Sequence, residues 1–380
     1  MSQLQPVGPT RLVLSRRQVL GATALAAASV LGAAGAGAQA QISRRPQWYV
    51  PAEHVPHRRT WMAWASRRRI WGSWLPGAQA DIALIARTIA RYEPVVMCAR
   101  DAAAARVARA MCGSHVEVID SIPVDDCWMR DSGPVFRLSG DGRLGAVGLG
   151  FNGWGGKQVH RADHLVAQRV ARRAGAVFTR AGVVGEGGGV ECDGAGTLMA
   201  TQSCWANANR NPGLTRDEIE QALLRAYGAT SMIWLRGLRG RDITDDHIDA
   251  TSRFVRPGVV LVQVPPRGRD DVWARDARRQ HRELRRATDA SGRSLDIIEV
   301  PGPRSVRSSF PGFVDSYVNY ALVNGAVITA QFGDHDRDRT CHRILSAAFP
   351  GREVVQLNLD RLYRGGGGVH CVTSPQPARP

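Results

Sequence analysis

Five short apolar runs constrain this chain more than any other feature: Val95-Val96-Met97, Val116 to Ile119, Val259 to Val262, Val327-Ile328-Thr329 and Val354 to Leu357. Each is rich in β-branched residues and too short for a buried helix, so each reads as a strand. Helical patterns lie between some of them. Ile82, Ile85 and Ile89 fall on one face of the stretch Asp81 to Ala90, the spacing of a helix with one buried side. Thr215 opens a second helix, with Glu218 placed to close a capping box. Arg275 to Ala290 is so heavily charged that it reads as a third, solvated helix. Strand and helix signals alternate in units of about 50 to 60 residues, which makes this an α/β chain. Polar and glycine-rich segments punctuate the units: Trp128 to Pro134, Gly185 to Gly189, Asp242 to Asp249 and Gly365 to Cys371. Spaced in this way, they would converge as loops at one end of a repeated architecture.

The chain has 380 residues, and from Trp48 to Val372 no low-complexity break divides it. One domain over residues 48–374 is therefore expected, with a short tail at 375–380. Ahead of it, Ser15-Arg16-Arg17-Gln18-Val19-Leu20 is a twin-arginine sequence. An Ala-rich apolar run follows it, ending at a small-x-small site, Ala38-Gln39-Ala40. Residues 1–40 thus read as an export signal and 41–47 as a linker, which places the protein in the periplasm or outside the cell. The apolar run is too weakly hydrophobic for a stable membrane anchor. Removing it takes three arginines and no acid from the net charge of +16, leaving +13. That excess does not indicate a nucleic-acid partner: Lys157 is the only lysine, and the arginines are scattered rather than gathered into a stripe. The seven cysteines are odd in number and contain no CxxC pair, so neither a zinc ribbon nor a redox dithiol is suggested.

Four segments carry chemistry. Gly365 to Gly368 lead through Val369 and His370 into Cys371. Glycines let a ligand approach the main chain closely, although from this segment alone a glycine-rich tail with an incidental thiol is the better reading. Asp125 to Pro134 sets three carboxylates beside Arg130 and Trp128. A carboxylate takes paired N–H donors and a ring covers a flat face, so a planar cation fits; a charged turn with an internal Arg130–Asp131 pair is the alternative. Glu186 stands alone among glycines, aimed into a cavity or carried on a surface loop. In Asp242 to Asp249, His247 and Asp249 would share one face of an extended strand. Such a pair suits proton transfer beside a cation, a metal site, or a solvated acidic turn.

Together these residue types match attack of a thiolate on a guanidinium carbon. A guanidinium stays protonated, so it needs carboxylates to orient it, a strong nucleophile, and an acid for the departing nitrogen. The ordered motifs then carry a resemblance. They are Pro56 to Trp64, Asp126 to Pro134, Phe151 to Lys157, Glu186-Gly187-Gly188, Asn207 to Pro212, His247-Ile248-Asp249, Ser316 to Tyr320, and Gly365 to Cys371. In these the chain resembles the agmatine deiminase family, which includes the bacterial type of peptidylarginine deiminase. The resemblance implies a pentein, a five-bladed α/β propeller of ββαβ-type repeats around a central site.

By that resemblance Cys371 is the nucleophile, His247 the general acid/base, and Asp131 and Asp249 the carboxylates that clasp the guanidinium. Glu186 supports the histidine, and Asn319 and Trp128 line the site. The implied route runs through a covalent thiouronium adduct, needs neither metal nor cofactor, and has the cationic substrate and the imidazolium lowering the Cys371 thiol. Three positions depart from the family's usual residues: Ile243 for Glu, Asp246 for Gly and Gly368 for Asn. They flank the chemical groups and bear on recognition of the substrate's far end, where Asp246 offers itself to a distal amine. The implied partner is a small cationic guanidine, agmatine or arginine-like, and a homo-oligomer is left open. Three other readings stand beside agmatine: a protein- or peptide-arginine deiminase, a metal-dependent hydrolase using Asp245, His247, Asp249 and His370, and a non-catalytic binding propeller.

Overall fold

The structure, a computed structural model, describes residues 47–380. The expected signal segment at 1–40, and the linker but for Gln47, lie outside the described residues. All five apolar runs form strands, at Val95–Cys98, Val116–Ile119, Val259–Val264, Ala326–Ala330 and Glu353–Leu357. They belong to a mixed α/β fold of small sheets.

Four sheets share one plan: an antiparallel pair, then a helix, then a third strand parallel to the second. In the first, Val135–Ser139 pairs with Leu144–Gly148, and helix Val166–Arg173 leads to Val177–Arg180. In the next, Val190–Cys192 pairs with Thr197–Thr201, and helix Arg216–Tyr227 leads to Ser231–Leu235. Ser252–Arg256, Val259–Val264 and Asp296–Pro301 repeat the plan around helix Val272–Leu284. Ala321–Val323, Ala326–Ala330 and Glu353–Leu357 repeat it around His335–Ala348. A parallel neighbour needs a crossover of this kind, whereas an antiparallel one needs only a turn.

The fifth sheet takes its antiparallel strand from the far end of the chain. His57–Ala63 runs parallel to Val95–Cys98 across helix Leu75–Ile89. Its other edge pairs with Thr373–Pro377, Thr373 standing opposite Met62 and Gln376 opposite Arg59. Trp61 Nε1 donates to Gln376 Oε1 at 3.0 Å across this seam. The ordered domain therefore runs through residues 375–377, which were expected to be tail.

The helices follow from local rules. Ile82, Ile85 and Ile89 are fully buried on the inner face of Leu75–Ile89. Thr215 and Glu218 close the expected capping box, with Thr215 N–H donating to Glu218 Oε2 at 2.8 Å. The charged third helix begins earlier than expected, at Val272 behind an Asp271 cap, and ends at Leu284. It is not solvated all round, since Asp276, Gln280 and Leu284 are buried. Arginines are widely spent on intramolecular acids: Arg304 on Asp334, Arg307 on Asp360, Arg361 on Asp81 and Arg67 on Asp125. Among the described residues no helix is long and apolar enough to cross a membrane.

This repetition has one consequence for the site. In every unit the loop that enters the strand lying antiparallel beside the parallel pair carries a candidate group. Asp131 precedes Val135, Glu186 precedes Val190, His247 and Asp249 precede Ser252, Asn319 precedes Ala321, and Cys371 precedes Thr373.

Candidate active site

The cysteine loop leaves the short helix Asp360–Tyr363 and is shaped more by close approach than by turning. Of its four glycines only Gly366 has a positive φ, at 92°. A Cβ on Gly367 would lie 2.5 Å from the Trp128 ring, and one on Gly368 would lie 2.5 Å from Asn319 Oδ1. Side chains there would push away the groups that surround the thiol. Asn319 Nδ2 donates to Cys371 Sγ at 3.3 Å, and Sγ lies 3.7 Å from Asp249 Oδ2.

The carboxylates and the histidine meet around Gly188. A Cβ there would stand 2.8 Å from His247 Nδ1 and 2.9 Å from both Asp131 Oδ1 and Asp249 Oδ2. Only a bare backbone fits between them, which is a physical reason for the glycines that follow Glu186. Asp131 accepts from Gly188 N–H at 3.1 Å and from Trp154 Nε1 at 2.9 Å. Glu186 receives Arg210 Nε on both oxygens at 2.9 Å and His247 Nε2 at 3.1 Å. Asp249 takes His370 Nδ1 at 2.7 Å on Oδ2, while its buried Oδ1 has no partner.

His247 and Asp249 do converge, but not by strand alternation. Asp245 and Asp246 adopt φ of 62° and 75°, and Ile248–Ala250 is a single 3-10 turn. The turn, not an extended backbone, aims both side chains inward. Arg130 pairs with Glu53 at 2.7 Å rather than with Asp131, so the charged-turn alternative fails there.

Burial disfavours charge on His247, yet the Asp131 carboxylate, Cys204 and the Glu186 bond overcome it and raise its pKa well above the ordinary value. Its Nε2 therefore carries a proton toward Glu186. Burial also opposes ionisation of Glu186, but His247 and Arg210 hold it below the usual range. Asp131 is pushed up to about 6, first by burial and then by Glu186 and Asp249, against the pull of His247. Burial and the Asp249 and Asp131 carboxylates push the Cys371 thiol up. The protein's own groups therefore raise this thiol, and the expected lowering is left to the cationic substrate.

Above these groups opens a cleft of about 250 Å³, with Asp131 and Cys371 in its lining. Trp71, Trp74, Trp128 and Trp154 wall it, with Phe310 and Arg364. Trp71 and Trp128 stack at 5.9 Å between ring centroids. Trp128 therefore stands where expected. Asp246 does not. It is absent from the cleft, and its carboxylate accepts from Leu238 N–H at 3.0 Å and Gln280 Nε2 at 3.3 Å. It braces the loop instead of meeting a substrate amine. Ile243, another departure, does line the cleft.

The four residues of the metal reading do not assemble. Asp245 is held by Lys157 and Arg210, both at 2.7 Å, and His370 spans Asp249 and Glu53. Among the described residues the chelating trio is a different one, Glu186, Cys204 and His247, and the Arg210 guanidinium already occupies Glu186. Sequence reasoning assigned no role to Arg210, Trp154 or Glu53, and gave His370 a place only in the metal reading. The first two sit inside motifs already noted, Asn207 to Pro212 and Phe151 to Lys157, and a buried carboxylate with no assigned donor was the signal that points to them.

The sequence profile of the Porphyromonas-type peptidyl-arginine deiminases matches residues 49–377. An agmatine deiminase of Stutzerimonas stutzeri is 37% identical over 359 residues, covering 88% of this chain and 97% of the relative. An agmatine deiminase of Pseudomonas aeruginosa is 35% identical over 355 residues, covering 87% and 95%. Among solved structures, agmatine deiminase of Enterococcus faecalis superposes with a TM-score of 0.83 at 26% identity, covering 88% of this chain and 97% of the other.

Proposed function

The chain belongs to the Porphyromonas-type peptidyl-arginine deiminase family, and on that premise we propose that it hydrolyses a guanidinium carbon–nitrogen bond, converting agmatine to N-carbamoylputrescine and ammonia. The observation that carries this reading is the convergence of Asp131, Asp249 and His247 on the bare Gly188, with the Cys371 sulfur 3.7 Å from Asp249. Asp131 and Asp249, which meet at Gly188, clasp the guanidinium N–H groups. The arriving cation places positive charge between the two acids that hold the thiol protonated, so as substrate binds the thiol releases its proton to water and the thiolate forms. Sulfur bonds to the guanidinium carbon, His247 gives its proton to the departing nitrogen, and ammonia leaves. Water then loses a proton to His247, its oxygen bonds to the carbon, and the carbon–sulfur bond breaks to release the ureido product.

The plan repeated across five sheets, with five entry loops meeting at one site, supports a five-bladed propeller of pentein type. The twin-arginine sequence at Ser15 to Leu20 supports export to the periplasm or beyond. Determining the N-terminus of the protein recovered from the periplasm tests this, and a chain retained whole in the cytoplasm counts against it.

One observation favours a second reading, in which the substrate is free or peptidyl arginine. Arg364 lines the cleft and its Nε has no hydrogen-bond partner. A distal carboxylate would satisfy it, whereas agmatine brings a second cation. The deciding assay measures ammonia and ureido product with agmatine, arginine and an arginine peptide, on the native chain and on Cys371→Ser. Turnover of agmatine that Cys371→Ser reduces by on the order of 10⁵-fold is expected. A native chain inert toward all three substrates ends the reading.

A further inference from the structure

His370, immediately before the nucleophile, is buried and bridges two acids. Its Nδ1 lies 2.7 Å from Asp249 Oδ2 and its Nε2 lies 3.0 Å from Glu53 Oε1. An ionised carboxylate only accepts, and a neutral imidazole donates from one nitrogen alone. Either an acid or the ring must therefore hold an extra proton.

The surrounding charges favour the ring. Glu53 is also ion-paired with Arg130 at 2.7 Å and with Arg253 at 2.5 Å, and Arg253 Nε lies 2.5 Å from Glu191 Oε1. The set thus holds three acids, Glu53, Glu191 and Asp249, against two guanidiniums, with Glu53 and Arg130 half-buried and the rest buried. Burial opposes ionisation of Glu53, but Arg130, His370 and Arg253 hold it well below the usual carboxylate range. Burial raises Glu191, yet Glu191 lies against the Arg253 guanidinium and accepts from Phe254 N–H, surroundings that suit an ionised carboxylate. A cationic His370 closes the balance.

The geometry gives that cation a task. With Oδ2 taken by His370, Asp249 keeps one oxygen, Oδ1, buried and without a partner. Glu53 meanwhile grips Arg130 beside Asp131, Arg253 in the strand beyond Asp249, and His370 beside Cys371. We propose that His370 is a positioning residue: both ring nitrogens donate, locking Asp249 against the Glu53 keystone and so fixing the carboxylate that lies beside Gly188 and the Cys371 sulfur, where the guanidinium is held. This rests on the guanidinium reading of the site.

Two near-isosteres separate the ring's two bonds. The His370→Asn amide reaches where Nδ1 stands and keeps the Asp249 bond; the His370→Gln amide reaches where Nε2 stands and keeps only Glu53. With agmatine, His370→Asn is expected to stay within about tenfold of native kcat/KM, and His370→Gln to lose about 100-fold, mostly as raised KM. Thermal unfolding of each reports folding separately. Equal losses that track Tm, or two variants indistinguishable from native, overturn the proposal. Nitrogen-15 histidine spectra of the native chain, assigned by the signal that His370→Asn removes, should show both ring nitrogens protonated. A ring with one bare nitrogen overturns it as well. That spectrum needs no turnover, so inertness toward agmatine would end the deiminase reading while the protonation of His370 is still decided.

Discussion

At the floor of the cleft, side chains are held from several directions; at its mouth, they are held by ring faces. Glu186 takes four hydrogen bonds, from Arg210, His247 and Cys204, and Asp131 is fixed by Gly188 and Trp154. Arg364, by contrast, lies 3.6 Å from the centroid of the Trp74 ring and 4.9 Å from that of Phe310, and Trp74 is 38% exposed. Buried charges demand fixed partners, because an unpaired one is costly, and that demand makes the floor rigid. A stacked guanidinium in partial contact with water has no such demand. Bond-breaking and the choice of substrate's far end thus sit in parts of one cleft with different tolerance for change.

The floor should break most sharply. Asp131→Asn keeps the shape but removes the charge that faces the guanidinium, so kcat/KM is expected to fall on the order of 1,000-fold, about 4 kcal/mol. Steady-state kinetics on agmatine measures it; a loss under tenfold would mean that Asp249 alone orients the substrate.

The pH dependence is the next test of the same floor. Asp131 has its pKa raised to about 6 from 3.8, and it must ionise to clasp a cation. The kcat/KM of the native chain should therefore decline as pH falls through about 6. For stability the sign is opposite. A raised acid favours folding below its unfolded value and loses that contribution as pH rises through its folded value. Agmatine binding compensates the ionised form, so the rise in Tm it produces on Cys371→Ser should be larger at pH above this window than below it. An equal rise on both sides would move the proton elsewhere.

How much of this was legible in the sequence divides along the same line. Cys371, His247, Asp131, Asp249, Glu186, Asn319 and Trp128 each sit in an ordered motif, and the structure brings all of them to one place. Their keystone was not readable. Glu53 meets Arg253 across 200 positions of sequence and His370 across 317, and neither spacing leaves a local pattern. Repetition was visible as recurring apolar runs, which mark three of the five sheets, but closure by Thr373–Pro377 was not, because that strand carries two prolines and reads as tail. Asp246 misled for a related reason: an acid in a motif looks available until its loop folds back and buries it.

Gly368→Ala tests how far floor and mouth are coupled. The new methyl would meet Asn319 Oδ1 at 2.5 Å and the Tyr363 hydroxyl at 2.6 Å. Neither neighbour is a free chain end, so Asn319 must turn from Cys371. A loss of kcat of about 10- to 100-fold with KM little changed is expected. Native kcat would mean that the loop yields without disturbing Asn319.

The smallest effect belongs to the mouth. Replacing Arg364 by Gln removes a cation that repels the distal ammonium of agmatine and attracts the carboxylate of arginine. Each interaction is partly exposed and worth about 1 kcal/mol or less. The two act in opposite directions on the two substrates, so the ratio of kcat/KM for agmatine over arginine should rise about tenfold. The shift should shrink as salt is added, since charges near water are screened over about 10 Å at 0.1 M. Cys371, held deep by Asn319 and Asp249, should react in both proteins alike, so single-turnover chemistry at saturating agmatine serves as the control. An unchanged ratio would mean that the Trp74 and Phe310 stack keeps Arg364 out of the substrate's path, and would pass the choice of far end to Ile243 and the tryptophan walls.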